Sequence, residues 1–143
     1  MAQAPKCTSE LCLAIDRLAA LVGNTPLVEI RYSLDGKPRR LFAKYECMNM
    51  TGSVKDRMAL NILRRAADSG ELRPGAVICE ASSGNTGISF AAIGRALGHR
   101  VRIYMPDWMS QERTQLMHGL GADVVPVSKG QGGFVGSIRM TEE

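Results

Sequence analysis

Apolar residues along the first half of the chain recur at two periods. Leu11, Ile15, Leu18 and Leu21 fall at helical spacing behind Ser9, so the pattern predicts a helix capped by Ser9 and running through about Ala20. Gly23-Asn24-Thr25-Pro26 reads as a turn. Residues 27–31 and 40–45 read as strands, with Asp35-Gly36-Lys37-Pro38 as the turn between them. A glycine-bearing loop over 50–54 leads to Lys55, which opens an amphipathic helix to about Ser69. Met58, Ile62, Leu63 and Ala66 form one face of that helix, and Gly70 supplies a stop signal.

From residue 77 the alternation becomes regular. A short apolar strand over 77–80 meets Ser82-Ser83-Gly84-Asn85-Thr86-Gly87, a loop that leads into a helix to about Leu97. A strand over 100–105, a helix over 110–120 and a strand over 123–127 follow, and Gly130-Gln131-Gly132-Gly133 leads into a final helical segment. Strand–helix repetition predicts right-handed crossovers and an α/β fold, a parallel sheet flanked by helices. The 143 residues suit one domain. Aromatic residues make up only 5%, so the core must be built mostly from Ala, Leu, Ile, Val and Met.

Charge and cysteine content narrow the classes. The net charge of +4 is scattered apart from Arg39-Arg40 and Arg64-Arg65, with no basic run interleaved with aromatics. This reads as a solvated surface rather than a nucleic-acid site, and it suits small anionic ligands. Cys7, Cys12, Cys47 and Cys79 form no Cys-x-x-Cys pair, and His99 and His118 lie far from them in sequence, so no metal site is expected. Cys79 stands in an apolar run and is expected as a buried free thiol. The cysteine pattern fits a reducing cytosol better than a disulfide framework, which points to a cytoplasmic protein. The first ten residues lack a secretory apolar stretch, and no apolar run reaches membrane-spanning length.

Parallel sheets of this class bind ligands where strand ends meet helix N-termini. Two loops fall at such junctions. The first is Asn49-Met50-Thr51-Gly52-Ser53-Val54-Lys55-Asp56-Arg57. A helix N-terminus repels a lysine, and that repulsion favours the neutral amine used in Schiff-base chemistry. The same residues also read as a surface lysine beside an N-terminal acid. The second loop, Ser82-Ser83-Gly84-Asn85-Thr86-Gly87, offers three hydroxyls, a carboxamide and backbone N–H groups able to hold a carboxylate or phosphate. Its composition equally suits an ordinary helix cap.

Taken together, the two loops resemble a known family. NMTGSVKDRMAL, from Asn49 to Leu60, looks like the cofactor-lysine segment of fold-type-II pyridoxal 5′-phosphate (PLP) enzymes. EASSGNTGISFAA, around Asn85, looks like their asparagine loop. RIYMPDWMS, Glu112-Arg113, Leu120-Gly121-Ala122 and the early Gly23-Asn24-Thr25-Pro26-Leu27 continue the likeness from about Leu18 onward. The chain thus resembles the N-terminal part of the cysteine synthase and cystathionine β-synthase family. The resemblance implies that Lys55 binds PLP covalently and then transfers a proton at the substrate α-carbon. It implies that Asn85 hydrogen-bonds the cofactor's ring oxygen, and that Ser82, Ser83, Gly84 and Thr86 hold the carboxylate of a small amino-acid substrate. The implied reaction is β-replacement or β-elimination, first of all O-acetylserine with sulfide to give cysteine. Cystathionine or diaminopropionate synthesis, or a fragment serving only as a fold or binding module, stand as alternatives.

The sequence departs from the family in two respects. Ala81-Ser82-Ser83 stands where Pro-Thr-Ser is more usual. Family members are also roughly twice as long. By the resemblance, their phosphate cup and the group facing the pyridine nitrogen lie in the half without a counterpart here, and Gly130-Gln131-Gly132-Gly133 matches a loop ahead of the next helix rather than that cup. The 143 residues alone are therefore expected to retain PLP weakly, to turn over slowly or not at all, and to expose an apolar face. The full-length family form is expected to be a homodimer.

Overall fold

The computed structural model describes residues 10–142. The cap expected at Ser9 lies outside the described residues. Helix α1 (Glu10–Ala19) buries Cys12 and Ile15, with Leu11 and Leu18 packed at the edge of the core. Leu21 follows the helix end and stays exposed, against the sequence expectation. Cys12 is disulfide-bonded, which departs from the all-thiol reading, whereas Cys47 and Cys79 are free.

Strands β1 (Leu27–Leu34) and β2 (Lys37–Lys44) pair antiparallel, with Leu27 opposite Lys44 and Leu34 opposite Lys37. Both are longer than their sequence pattern suggested. The predicted four-residue turn shrinks to Asp35 and Gly36, whose φ values of +52° and +70° are those of a tight two-residue hairpin. Lys37 and Pro38 join the ladder instead, and a two-stranded ribbon tolerates the proline because each strand is an edge.

Helix α2 (Lys55–Ser69) begins and ends where its sequence signals place it. Gly70 closes it in the left-handed conformation, φ +77°, donating to Ala67 O. The buried face overlaps the expected one in part: Leu63 is buried and Ala66 packs against the core as expected. Asp56, Ala59, Leu60 and Leu63 are buried, while Met58 and Ile62 remain about two-fifths exposed. Both faces contain apolar residues at helical spacing, and packing against α1 and helix α3 (Asn85–Ala96) decides between them.

The second half forms a parallel sheet in the order β3 (Val77–Ala81), β4 (Arg100–Pro106), β5 (Asp123–Val127). Its crossovers are α3 and α4 (Gln111–Gly119), and α5 (Gly133–Met140) follows β5. The α/β architecture matches the sequence reading. Helix α3 is the most enclosed element, buried continuously from Gly87 to Gly94. A Cβ at Gly94 would lie 2.6 Å from Val101 Cγ2 and 2.9 Å from Ile78 Cδ1, so glycine lets the helix settle on the sheet. Ile93, Val101, Ile103 and Met117 form the centre of this core with α2 and α1 against it.

Cys79 corrects another expectation, since it is exposed rather than buried. β3 is one of the two edge strands of its sheet. Its period-two alternation sends Ile78 into the core and turns Val77 and Cys79 outward. Among the described residues no helix is long and apolar enough to cross a membrane.

Candidate active site

The segment ahead of α2 is fixed by a polar network. Asn49 is buried; its side chain accepts from Gly23 N–H at 2.8 Å and donates to Glu46 O and Oε2 at 2.6 and 2.9 Å. Arg57 grips Glu46 with two bonds of 2.7 and 3.0 Å, and Thr25 Oγ1 donates to the same carboxylate at 2.7 Å. The Arg57 guanidinium, with the Thr25 and Asn49 donors, holds the Glu46 carboxyl down at about 2. The network staples the turn at residues 23–26 to the loop that delivers Lys55.

At the start of α2, Ser53 Oγ accepts from Lys55 N–H at 3.1 Å. Asp56 is fully buried and accepts from Thr51 N–H at 2.6 Å, Thr51 Oγ1 at 2.5 Å and Ser89 Oγ at 2.5 Å. Lys55 itself is exposed, with its side chain at the wall of a cleft.

The other wall is the loop between β3 and α3. Ser82 is buried, and its Oγ accepts from the N–H groups of Gly87 at 2.8 Å and Gly84 at 3.3 Å. This folds the loop over the helix end, where the first N–H groups of α3 have no acceptor within the helix. Arg113, from α4, donates to Ser83 O at 3.0 Å and braces the loop from outside. Lys55, Ser82, Ser83, Gly84, Asn85 and Thr86 all line one cleft of about 390 Å³. The structure thus brings together every site residue that the sequence singled out.

Four further cleft residues were not singled out as site residues: Glu80, Ala81, Arg113 and Phe134. Partial burial raises the Glu80 carboxyl above the usual carboxylate range. Glu80 and Arg113 stood inside recognisable motifs, but a single charge in a sequence does not reveal that it faces a cleft. Gly130-Gln131-Gly132-Gly133 forms a tight turn instead, with Ser128 Oγ accepting from Gln131 N–H and the Gln131 side chain accepting from Ser128 N–H. A larger cleft of about 530 Å³, between α1 and residues 72–75 and 97–99, has mainly apolar walls and no comparable anion-binding loop.

An exposed amine beside a hydroxyl-rich helix N-terminus suits a ligand that carries both a carbonyl and anionic groups. A family profile described as pyridoxal-phosphate dependent enzyme matches residues 18–143. The chain belongs to this family. The cleft suits the family's cofactor in chemical kind: Lys55 presents a primary amine, and the 82–86 loop presents donors for negative charge.

Relatives within the family are consistent with that fit. The chain is 44% identical over 115 residues to cysteine synthase B of Escherichia coli, covering 80% of this chain and 38% of the relative. It is 37% identical over 129 residues to a cysteine synthase of Staphylococcus aureus, covering 90% and 41%. Among solved structures, a hydrogen sulfide-producing enzyme from Fusobacterium nucleatum superposes with a TM-score of 0.86 at 51% identity, covering 90% of this chain and 38% of that one. A cysteine synthase from Entamoeba histolytica does so with a TM-score of 0.76 at 33% identity, covering 99% and 41%. The chain therefore spans about two-fifths of the length of these relatives.

Proposed function

We propose that residues 1–143 form the N-terminal part of a PLP enzyme of cysteine synthase type. The reaction is β-replacement on an activated serine, O-acetylserine, with sulfide as the nucleophile and cysteine as the product. The observation that carries this reading is the single cleft shared by Lys55 and the Ser82–Thr86 loop. The cysteine synthases and the hydrogen sulfide-producing enzyme among its relatives support the choice of a sulfur-handling β-replacement.

PLP, when bound, supplies an electron sink for charge developing at the substrate α-carbon. The chain's own residues supply attachment, orientation and proton traffic. Lys55 holds the cofactor and moves the proton at the α-carbon. Asn85, at the first position of α3, would offer its side-chain N–H to the cofactor's ring oxygen. Ser83, Gly84 and Thr86, with the free N–H groups at the helix start, hold the substrate α-carboxylate and so aim its α-C–H bond at Lys55. Ser82 acts through loop shape, since its hydroxyl already binds the Gly84 and Gly87 N–H groups. The substrate is a small amino acid, and the full-length form is a cytoplasmic homodimer.

The test uses protein saturated with PLP and titrated with O-acetylserine, followed by the change in visible absorbance and by acetate release. Ser83→Ala should weaken amino-acid binding about ten- to a hundredfold, the range expected for losing a charge-assisted hydrogen bond, while leaving the cofactor absorbance intact. Unchanged affinity in that variant would remove the carboxylate assignment. No acetate from a form that also carries the family's second half would remove the proposed reaction.

A further inference from the structure

We infer that Asp56 is a positioning residue that locks Lys55 to helix α3, so that the lysine and Asn85 are held as one unit. The inference rests on the reading of Lys55 as the cofactor lysine and adds a residue to which that reading gives no role. Asp56 is 0% exposed, and among the described residues no salt bridge reaches it. A buried carboxylate is costly unless its oxygens are satisfied. Here the donors are Thr51 N–H and Thr51 Oγ1 from the loop before Lys55, and Ser89 Oγ from α3.

The arrangement goes beyond a helix cap. A capping carboxylate binds the N–H groups of its own first turn and can do so facing solvent. Asp56 instead reaches back to Thr51 and across 33 positions in sequence to Ser89. Thr51 Oγ1 and Ser89 Oγ converge on the same carboxylate oxygen and lie 3.5 Å apart. Ser89 is one helical turn beyond Asn85, on the same side of α3. Asp56 directly follows Lys55, whose own N–H is tied to Ser53 Oγ. The backbone at Lys55 therefore cannot shift relative to the Asn85 turn without breaking a buried, charge-assisted bond.

The test compares Ser89→Ala, Thr51→Val, Thr51→Ser and Asp56→Asn in the full chain, titrated with PLP. Visible absorbance reads occupancy, visible circular dichroism per bound cofactor reads how firmly its orientation is fixed, and urea unfolding reads stability. Ser89→Ala and Thr51→Val should each lower PLP affinity about tenfold, as expected for one charge-assisted bond, and reduce the dichroism per bound cofactor. Thr51→Ser, which keeps the hydroxyl, should restore both. Asp56→Asn places an N–H against a donor and should act in the same direction, and the Thr51 and Ser89 variants decide the matter if it does not fold. Lower stability with unchanged affinity and dichroism per bound cofactor would show a purely structural role and overturn the inference. So would a Thr51→Ser protein that behaves like Thr51→Val. An unsubstituted chain that gains no cofactor absorbance would overturn the reading of Lys55 itself, and this inference with it.

Discussion

The β1–β2 ribbon and the β3–β5 layer are both sheets, yet they are held in different ways. Every position of the ribbon is exposed except Ala43, which is partly buried, and its register follows from the Asp35-Gly36 turn and local pairing. Leu27, Ile30, Leu34, Leu41 and Phe42 project from it at about half exposure. In the β3–β5 layer, Val101, Ile103 and Val127 are at most 1% exposed; Val101 and Ile103 rest on α3, which is itself buried along most of its length, and Val127 lies beside α5. The ribbon illustrates structure fixed by turn chemistry, and the layer illustrates structure fixed by burial. The candidate site is built on the latter, where strand ends and helix N-termini are placed by a packed core.

The contrast breaks most sharply at the centre of the layer. Ile103→Ala should cost about 2–5 kcal/mol in urea unfolding, as expected for emptying a packed site, whereas Leu41→Ala in the ribbon should stay within about 0.5 kcal/mol. Equal losses at the two positions would mean that the ribbon carries core burial. A smaller effect is expected at the contact between α3 and the sheet. Gly94→Ala should destabilise by about 1–3 kcal/mol, because the added carbon meets Val101 and Ile78 inside contact distance. A neutral result would show that α3 can slide on its sheet and that its N-terminus is less firmly placed than the packing implies.

The smallest effect concerns the staple between the 23–26 turn and the Lys55 loop. Glu46 titrates lower in the folded protein, at about 2, than in an unfolded chain, at about 4.3. Its contribution is therefore fully present above the unfolded value and is lost as the pH falls from there toward 2. Glu46→Gln should flatten that part of the stability–pH curve. The group is exposed enough for solvent to screen it, so the change should be modest and should shrink further with added salt. An unchanged curve would remove the staple from the account.

What could be read from the sequence follows the same division. Signals carried by neighbouring residues were legible: α2 starts at Lys55 and stops at Gly70, and the Ser82-to-Gly87 loop opens α3. Both candidate loops were also legible, because glycine, hydroxyl and lysine placement ahead of a helix is a local pattern. Features decided by distant partners were not legible. Whether Met58 and Ile62 or Ala59 and Leu60 join Leu63 on the inner face of α2 depends on where α1 and α3 lie. Cys79 looked like a core residue because a short apolar run does not show whether its strand is an edge. Asp56 looked like an ordinary N-terminal acid, and only its contact with Ser89 reveals a buried anchor. The two-residue hairpin was masked by Pro38, which suggested a longer turn.

The central claim is that Lys55 carries the cofactor, and peptide mapping tests it most directly. The protein is incubated with PLP, reduced with borohydride, digested and analysed by mass spectrometry. The account predicts a pyridoxyl group on the peptide containing Lys55, and its loss in Lys55→Ala without relocation to another lysine. Preferential labelling of Lys44 or Lys129, or labelling spread evenly over the lysines, would contradict it.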